Sequence, residues 1–240
     1  MDDRQVAGRM GSWARPVVVR ATLIISVVAA LAGDTFVAVP VPAGTTLPPF
    51  ESRIERISDS VRQLMTGRSW RRGCPVPIHD LRYLELRYRT FSGGSRMGEL
   101  VVHERWADEM VLVFSDLYAA AFPIRRMRLV DHYGANDTRS MRHDNTSAFN
   151  CRWRAGSPGV WSQHAYGRAI DVNPVENPYF VPPDYVSPPE GRPFLDRSRD
   201  RPGMIHAHDD AVDAFRGIGW RWGGYWNNVK DWQHFSATGK

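Results

Sequence analysis

The chain has 240 residues, of which 42% are hydrophobic and 24% are charged. This composition is typical of a globular protein, and the length suits one domain with additions rather than two full domains. A domain of this size buries a core without help from a metal, so any metal is expected for chemistry rather than for folding. The net charge of +5 favours an anionic partner. No basic run with interleaved aromatic residues occurs beyond Arg68–Arg72, and nucleic-acid binding is therefore not predicted.

The N-terminal segment has the pattern of an export signal. An apolar run at residues 21–32 follows four arginines: Arg4, Arg9, Arg15 and Arg20. A basic region before a short apolar run is typical of a secretory signal, and the run is shorter than the roughly 20 apolar residues of a spanning helix. Residues 1–34 are therefore predicted to be a signal peptide or an N-terminal membrane anchor; the alternative is a buried helix. The expected location is extracytoplasmic, with membrane contact only through this segment.

A linker and the first folded elements follow. Residues 35–50 are rich in proline and small residues, which predicts a linker. Apolar residues at three- and four-residue steps predict a helix over Glu51–Met65. Strands are predicted over Leu81–Arg89 and Glu99–His103, joined by a glycine turn. Together with a helix predicted over Trp106–Phe122, these elements form a helical and hairpin portion at 51–126.

The second half of the chain alternates short elements with irregular stretches. Met127–Val130 is a short strand candidate, and Asp209–Ile218 is predicted to be a helix. Residues 131–163 and 173–203 are long and polar or proline-rich, and loops of such length are usually functional or disordered. The mixture of helices with short, hairpin-linked strands predicts an α+β fold.

Two cysteines, Cys74 and Cys151, fit either one disulfide or two buried thiols. Export favours the disulfide, because oxidising compartments preserve such bonds. The bond would connect the front of the domain to a segment close to the candidate site described next.

Two histidines and two aspartates form the candidate chemical site. His164 and Asp171 are seven residues apart with Gly167 between them, and the glycine allows a bend that brings both side chains to one point. Sixty residues later, Asp231 precedes His234 by three positions. Two imidazoles and one carboxylate are a sufficient protein ligand set for catalytic zinc. A further carboxylate, Asp231, could act as the general base. The alternative is that both histidines are ordinary buried residues paired with nearby acids.

The motif around these residues resembles a known peptidase type. Ser162-x-His164-x-x-Gly167-x-Ala169-x-Asp171, followed by Asp231-x-x-His234, is similar to the D-Ala-D-Ala carboxypeptidase type of metallopeptidase, the M15 family. That group includes VanY-like carboxypeptidases, VanX dipeptidases and L-alanyl-D-glutamate endopeptidases. The resemblance covers roughly residues 127–236 strongly and begins more loosely near Arg68.

The resemblance implies a fold, a cofactor and residue roles. The implied fold is that of hedgehog signalling domains and DD-peptidases, a small antiparallel sheet flanked by helices with zinc on the sheet face. His164, Asp171 and His234 would hold Zn²⁺, and Asp231 would be the general base. Relatives also use an arginine before the first histidine to stabilise the oxyanion. Arg152 is the candidate here, displaced by two positions from the family pattern, with Arg142 and Arg139 as alternatives or Arg152 as a surface residue paired with Asp144.

The predicted function is an exported zinc peptidase, a monomer, that cuts peptidoglycan stem peptides as a carboxypeptidase or an endopeptidase. The alternative is a non-catalytic zinc-containing module that binds the cell wall or another protein. Ser162 is expected either to bind substrate or to cap the following turn. His206 and His208 are an alternative metal pair. An aromatic core or rim, with a glycan-stacking wall as the alternative, is expected for Trp220, Trp222, Tyr225 and Trp226.

Overall fold

The computed structural model describes residues 47–240, so the predicted signal or anchor segment and most of the predicted linker lie outside the described part. The described residues form a single compact unit of helices and small antiparallel sheets, and the predicted α+β class is confirmed. Within 47–240, no helix is both long enough and apolar enough to cross a membrane.

The described residues contain four α-helices and eleven short strands. The helices are α1 (Asp59–Met65), α2 (Ala107–Ala119), α3 (Asp137–Arg142) and α4 (Asp210–Gly217). The strands are β1 (Ser52–Arg56), β2 (Leu81–Arg89), β3 (Ser95–His103), β4 (Trp153–Arg154), β5 (Ser157–Trp161), β6 (Ala169–Asp171), β7 (Tyr179–Val181), β8 (Tyr185–Ser187), β9 (Arg221–Trp222), β10 (Lys230–Asp231) and β11 (His234–Ser236).

In the three-stranded antiparallel meander of β1, β2 and β3, strands β2 and β3 bury side chains on both faces. Successive side chains of a strand point to opposite faces, so Leu100 and Val102 join the core that contains α2, whereas Val101 joins a second core on the other side. Phe114 of α2 and Phe235 of β11 belong to the same core as Leu100. This shared core connects the meander to the strands that carry the candidate site.

The helix predicted over Glu51–Met65 is wrong in its first part. Ser52–Arg56 is the edge strand β1, and every residue of it is exposed. Its pairing with β2 depends on main-chain hydrogen bonds, which every residue type can make. The side chains of β1 therefore need not show a periodic hydrophobic pattern. The helix begins only at Asp59, where the hydroxyl of Ser58 accepts a hydrogen bond from the Val61 N–H and caps it.

The other predicted helices and strands agree better with the structure. Strand β2 has the predicted bounds, β3 begins at Ser95 rather than at Glu99, and α2 lies within the predicted helix. Met127 makes only an isolated bridge to Thr146, and residues 131–163 are not one loop but contain α3 and the hairpin of β4 and β5. The Cys74–Cys151 disulfide is present, with the two Cα atoms 5.9 Å apart.

Two further sheets bring together the last third of the chain. In the first, β11 lies between β6 and β9; in the second, β7 lies between β10 and β8. Both are antiparallel. Strands β10 and β11 are separated by only two residues, Trp232 and Gln233, so adjacent parts of one short segment belong to two different sheets.

A buried carboxyl pair anchors the start of the 173–203 stretch. Glu176 accepts a hydrogen bond from Arg125 at 3.0 Å, and Arg125 also lies 3.4 Å from a carboxylate oxygen of Asp144. Asp144 in turn accepts the N–H of Val175 at 2.9 Å. Burial raises the pKa of Glu176 to about 8; the neighbouring Asp144 adds to the rise and Arg125 opposes it.

We predict that this pair makes folding stability depend on pH. Glu176 has a folded pKa of about 8 against 4.5 when unperturbed, so between these values the native state holds a proton that the unfolded chain has lost. The free energy of unfolding should therefore fall as pH rises from about 4.5 to about 8. Urea denaturation across that range should show a flatter profile for Glu176→Gln. The exposed Glu55→Gln is the control, and an unchanged slope in Glu176→Gln would contradict the assignment.

Candidate metal centre

A tight turn before β6 presents His164. Residues Gln163–Tyr166 form a 3-10 turn, and the hydroxyl of Ser162 accepts the N–H of His164 at its start. Gly167 ends the turn with φ 61°, in the left-handed region. A Cβ atom at Gly167 would lie 2.5 Å from the main-chain nitrogen of His103, at the end of β3. The glycine therefore meets two requirements, a positive φ and close approach to the meander.

Asp171 and His234 are cross-strand partners. Asp171 is the last residue of β6, His234 is the first of β11, and the antiparallel register pairs them directly. Directly opposed residues share a face of a sheet, with Cβ atoms roughly 4.5–5.5 Å apart. The N–H of Asp171 donates to the carbonyl of Ser147 at 2.9 Å, and the N–H of Ser147 donates to the carbonyl of Asp171 at 3.1 Å. These two bonds fix the main chain of Asp171.

The structure brings His164, Asp171 and His234 into one buried cluster, the His–Asp–His cluster. The three residues are 4–6% exposed. One Asp171 oxygen lies 3.3 Å from Nε2 of His164, and the other lies 2.9 Å from Nδ1 of His234. One potential ligand atom from each residue lies within 4.8 Å of the others, and this group could hold a metal ion. Elsewhere in 47–240, no group of three or more such residues has this geometry.

Main-chain oxygens orient both imidazoles. Nδ1 of His164 lies 2.6 Å from the carbonyl oxygen of Ala148, and Nε2 of His234 lies 3.3 Å from the main-chain oxygen of Lys240. Both oxygens can only accept, so each of these ring nitrogens can donate to its oxygen. The other nitrogen of each ring, which faces Asp171, would then be the one that binds a metal. This arrangement, in which the outer nitrogen of a histidine is held by a carbonyl, is common at protein metal sites.

The electrostatics of the cluster also suit a cation. Burial by itself would raise the pKa of Asp171, but His164 and His234 outweigh it and hold the pKa well below its usual range. Burial would lower the pKa of His234, whereas its contacts with Asp171 raise it overall. A buried carboxylate between two imidazoles thus requires positive charge nearby, from protons or from a metal. The donor set of two imidazoles and one carboxylate fits a zinc ion.

Asp231 lies close to the cluster on β10. Its partner in the β10–β7 register is Tyr179, and its Oδ1 is buried without a hydrogen-bond partner among the described residues. Burial raises the pKa of Asp231 to about 6; His234 opposes this rise and Asp171 adds to it. A carboxylate whose pKa is near neutral can both accept and return a proton.

Arg152 and Ser162 lie next to the turn, but their side chains have other partners. Nη2 of Arg152 lies 2.7 Å from a carboxylate oxygen of Asp137, at the start of α3, rather than near Asp144. The carbonyl of Arg152 accepts the Ser162 N–H at 3.1 Å. Ser162 caps the turn of His164, which was one of its two predicted roles. Among the alternative arginines, Arg142 pairs with Glu190 at 2.7 Å.

The other candidate residues of the sequence analysis lie outside the His–Asp–His cluster. Trp220 and Trp222 are buried in the core, where they stack near Phe215 and Phe235, so these two form no glycan-stacking wall. Tyr225 is exposed, and Trp226 packs near His234. His206 and His208 belong to no metal-binding group within residues 47–240. Sequence reasoning missed the main-chain oxygens that orient the imidazoles, because every residue has a carbonyl group and no side-chain pattern reveals which one is used.

We predict that Gly167→Ala destabilises the protein. A left-handed φ costs a residue with a side chain roughly 1–3 kcal/mol, and the contact with His103 adds to this. Gly217→Ala is a matched control, because this helical glycine has nothing within 4 Å of the added carbon and a negative φ. Chemical denaturation should show a lower free energy of unfolding for Gly167→Ala, and equal values for both variants would contradict the assignment.

The comparisons with known proteins bear on the same segment. Residues 155–237 match a family model described as D-alanyl-D-alanine carboxypeptidase. The matched residues include the whole His–Asp–His cluster and Asp231. No curated protein and no solved structure matches the chain significantly. The family match confirms that this segment of the chain resembles the M15-type peptidases, as its motifs predicted.

Proposed function

We propose that the chain is an exported zinc metallopeptidase that hydrolyses peptide bonds in peptidoglycan stem peptides. The observation that carries the proposal is the buried His–Asp–His cluster within the segment that matches the D-alanyl-D-alanine carboxypeptidase family. Export is supported by the basic and apolar pattern of residues 1–34 and agrees with the Cys74–Cys151 disulfide. The proposed partner is peptidoglycan, and the proposed state is a monomer outside the cytoplasm.

The cluster would hold the zinc ion through Nε2 of His164, a carboxylate oxygen of Asp171 and Nδ1 of His234. Asp171 and His234 share one face of the β6–β11 pair, which supports a hedgehog-like arrangement with the metal on the sheet face. When bound, zinc polarises a carbonyl group and lowers the pKa of water from about 15.7 to roughly 7. The main-chain oxygens of Ala148 and Lys240 would favour the tautomers that ligation requires.

Asp231 is proposed as the general base and acid. Its buried Oδ1 has no hydrogen-bond partner in the part of the chain that is described, so this atom is available to accept the proton of the attacking water. The same carboxyl group would then deliver the proton to the leaving amine. An intact acid at this position favours catalysis over the alternative of a purely structural zinc module, because metal binding alone does not require it.

Arg152 is proposed to stabilise the negative charge that develops on the scissile carbonyl oxygen. Its guanidinium is held by Asp137, which restricts its motion, and its main chain is hydrogen-bonded to Ser162 beside the turn of His164. A donor aimed at a developing oxyanion contributes roughly 3–4 kcal/mol to transition-state stabilisation. Ser162 would then have a structural role as the cap of the turn, with substrate binding as its second proposed role.

One prediction of the proposed function concerns the metal. The purified protein should contain close to one zinc ion per chain, because all three ligands are preorganised, and a strong chelator should abolish hydrolysis of muropeptides. His164→Ala should lose the zinc, whereas His206→Ala, outside the cluster, should keep it. Metal analysis by mass spectrometry provides the measurement. A wild-type protein that binds no zinc would refute the proposed function.

The second prediction concerns Asp231. Asp231→Asn should keep the zinc but lower kcat by about 10²–10⁴-fold, because the amide cannot accept the proton. Asp213→Asn, which changes an acid on the exposed side of α4, should leave kcat unchanged. Turnover of Asp231→Asn at the wild-type rate would exclude Asp231 as the base. Tight wall binding without turnover in the zinc-loaded wild type would instead indicate the non-catalytic module.

The cleaved bond can be identified from the products of digestion. Mass spectrometry of muropeptides would show loss of terminal D-Ala for a carboxypeptidase and release of larger stem fragments for an endopeptidase. The family description favours the carboxypeptidase.

A further inference from the structure

The segment that follows β11 folds back over the ligand His234. Nε2 of His234 lies 3.3 Å from the main-chain oxygen of Lys240, although the two residues are six positions apart. The chain returns because Gly239 has φ 73° and its N–H contacts the carbonyl of Ser236 at 3.3 Å. We define the turn of residues 236–240 as the C-terminal turn.

Two side chains hold the C-terminal turn in place. The hydroxyl of Ser236, which is fully buried, donates to the Lys240 oxygen at 3.1 Å and accepts the Lys240 N–H at 3.2 Å. The indole Nε1 of Trp226 donates to the carbonyl of Gly239 at 2.9 Å. The indole ring of Trp226 also packs near the imidazole of His234, with 5.6 Å between ring centroids. Ser236 therefore fixes the position of the Lys240 oxygen, and Trp226 fixes Gly239 and packs against the imidazole ring of His234.

The two ligand histidines differ in how their outer partners are supported. His164 donates to Ala148, a buried residue next to the bridged pair of Ser147 and Asp171. His234 donates to a residue whose main-chain oxygen is held mainly by Ser236, with Trp226 holding the residue before it. The orientation of His234 is thus set by a local turn, whereas that of His164 is set by the core.

We propose that the C-terminal turn positions His234 for metal binding, with Ser236 and Trp226 as the positioning residues. The inference rests on the proposed zinc site but assigns a role to residues outside the ligand set. The turn gives Nε2 of His234 an oxygen to donate to and holds the ring so that Nδ1 faces Asp171. Nδ1 would then exchange its contact with Asp171 for the metal when zinc binds. Outer partners of metal-bound histidines typically affect metal affinity by about 10–100-fold.

The test compares zinc affinity in the full chain and its variants. Ser236→Ala removes the two hydrogen bonds of the hydroxyl to Lys240, and Trp226→Phe removes the one to Gly239 while a phenyl ring remains beside His234. The double variant should raise the zinc dissociation constant by about 10–100-fold in a competition assay with a chromophoric chelator. The absorption spectrum of the Co²⁺-loaded protein should change as well, because it reports the geometry of the ligands.

A matched pair of changes isolates the main-chain oxygen. Lys240→Ala retains this oxygen and should bind zinc as the wild type does. Deletion of Lys240 alone removes it, keeps Gly239 as the acceptor of Trp226, and should weaken zinc binding like the double variant. Thermal unfolding of the metal-free proteins distinguishes a general loss of stability from a local effect, since a positioning role predicts similar metal-free midpoints.

The possible outcomes are distinct. If the wild type binds zinc and the double variant and the deletion bind it equally well with unchanged Co²⁺ spectra, the positioning role is refuted and the proposed function stands. If Lys240→Ala weakens binding as much as the deletion does, the main-chain oxygen is not the operative group, and the inference fails. A wild type that binds no zinc refutes the proposed function itself.

Discussion

The cross-strand pair of Asp171 and His234 is the interaction on which the rest of the site depends. The antiparallel register of β6 and β11 places a carboxylate and an imidazole side by side in a buried position. The addition of His164 from the preceding turn creates a carboxylate between two rings, which is stable only with nearby positive charge. The proposed metal would meet that requirement, and main-chain oxygens on the far side of both rings hold their outer nitrogens.

The surrounding fold supplies rigidity to this pair. Gly167 lets the turn of His164 lie directly against the end of β3, so the meander and the site strands are in close contact. The core that contains α2 and Phe235 continues beneath both sheets. The disulfide joins Cys151, thirteen positions before His164, to the region after α1. The site is therefore held from several directions, as catalytic chemistry requires.

Three buried carboxyl groups show how environment separates residues of similar chemistry. The pKa of Asp171 is held below its usual range by two imidazoles, in spite of burial. The pKa of Asp231 is raised by burial to about 6, and that of Glu176 is raised by burial and by Asp144 to about 8. One carboxylate is thus suited to ligation, one to proton transfer, and one remains protonated as a structural group.

The sequence by itself determined the hairpin of β2 and β3, helix α2 and the identity of the cluster residues, because local periodicity and short motifs encode these features. It indicated the disulfide through the N-terminal pattern. Only the tertiary structure decided that Ser52–Arg56 is an edge strand, that Arg152 pairs with Asp137, and that Ala148 and Lys240 orient the imidazoles. These features depend on main-chain groups and long-range packing, which are common to all residue types and therefore leave no distinctive pattern in the sequence.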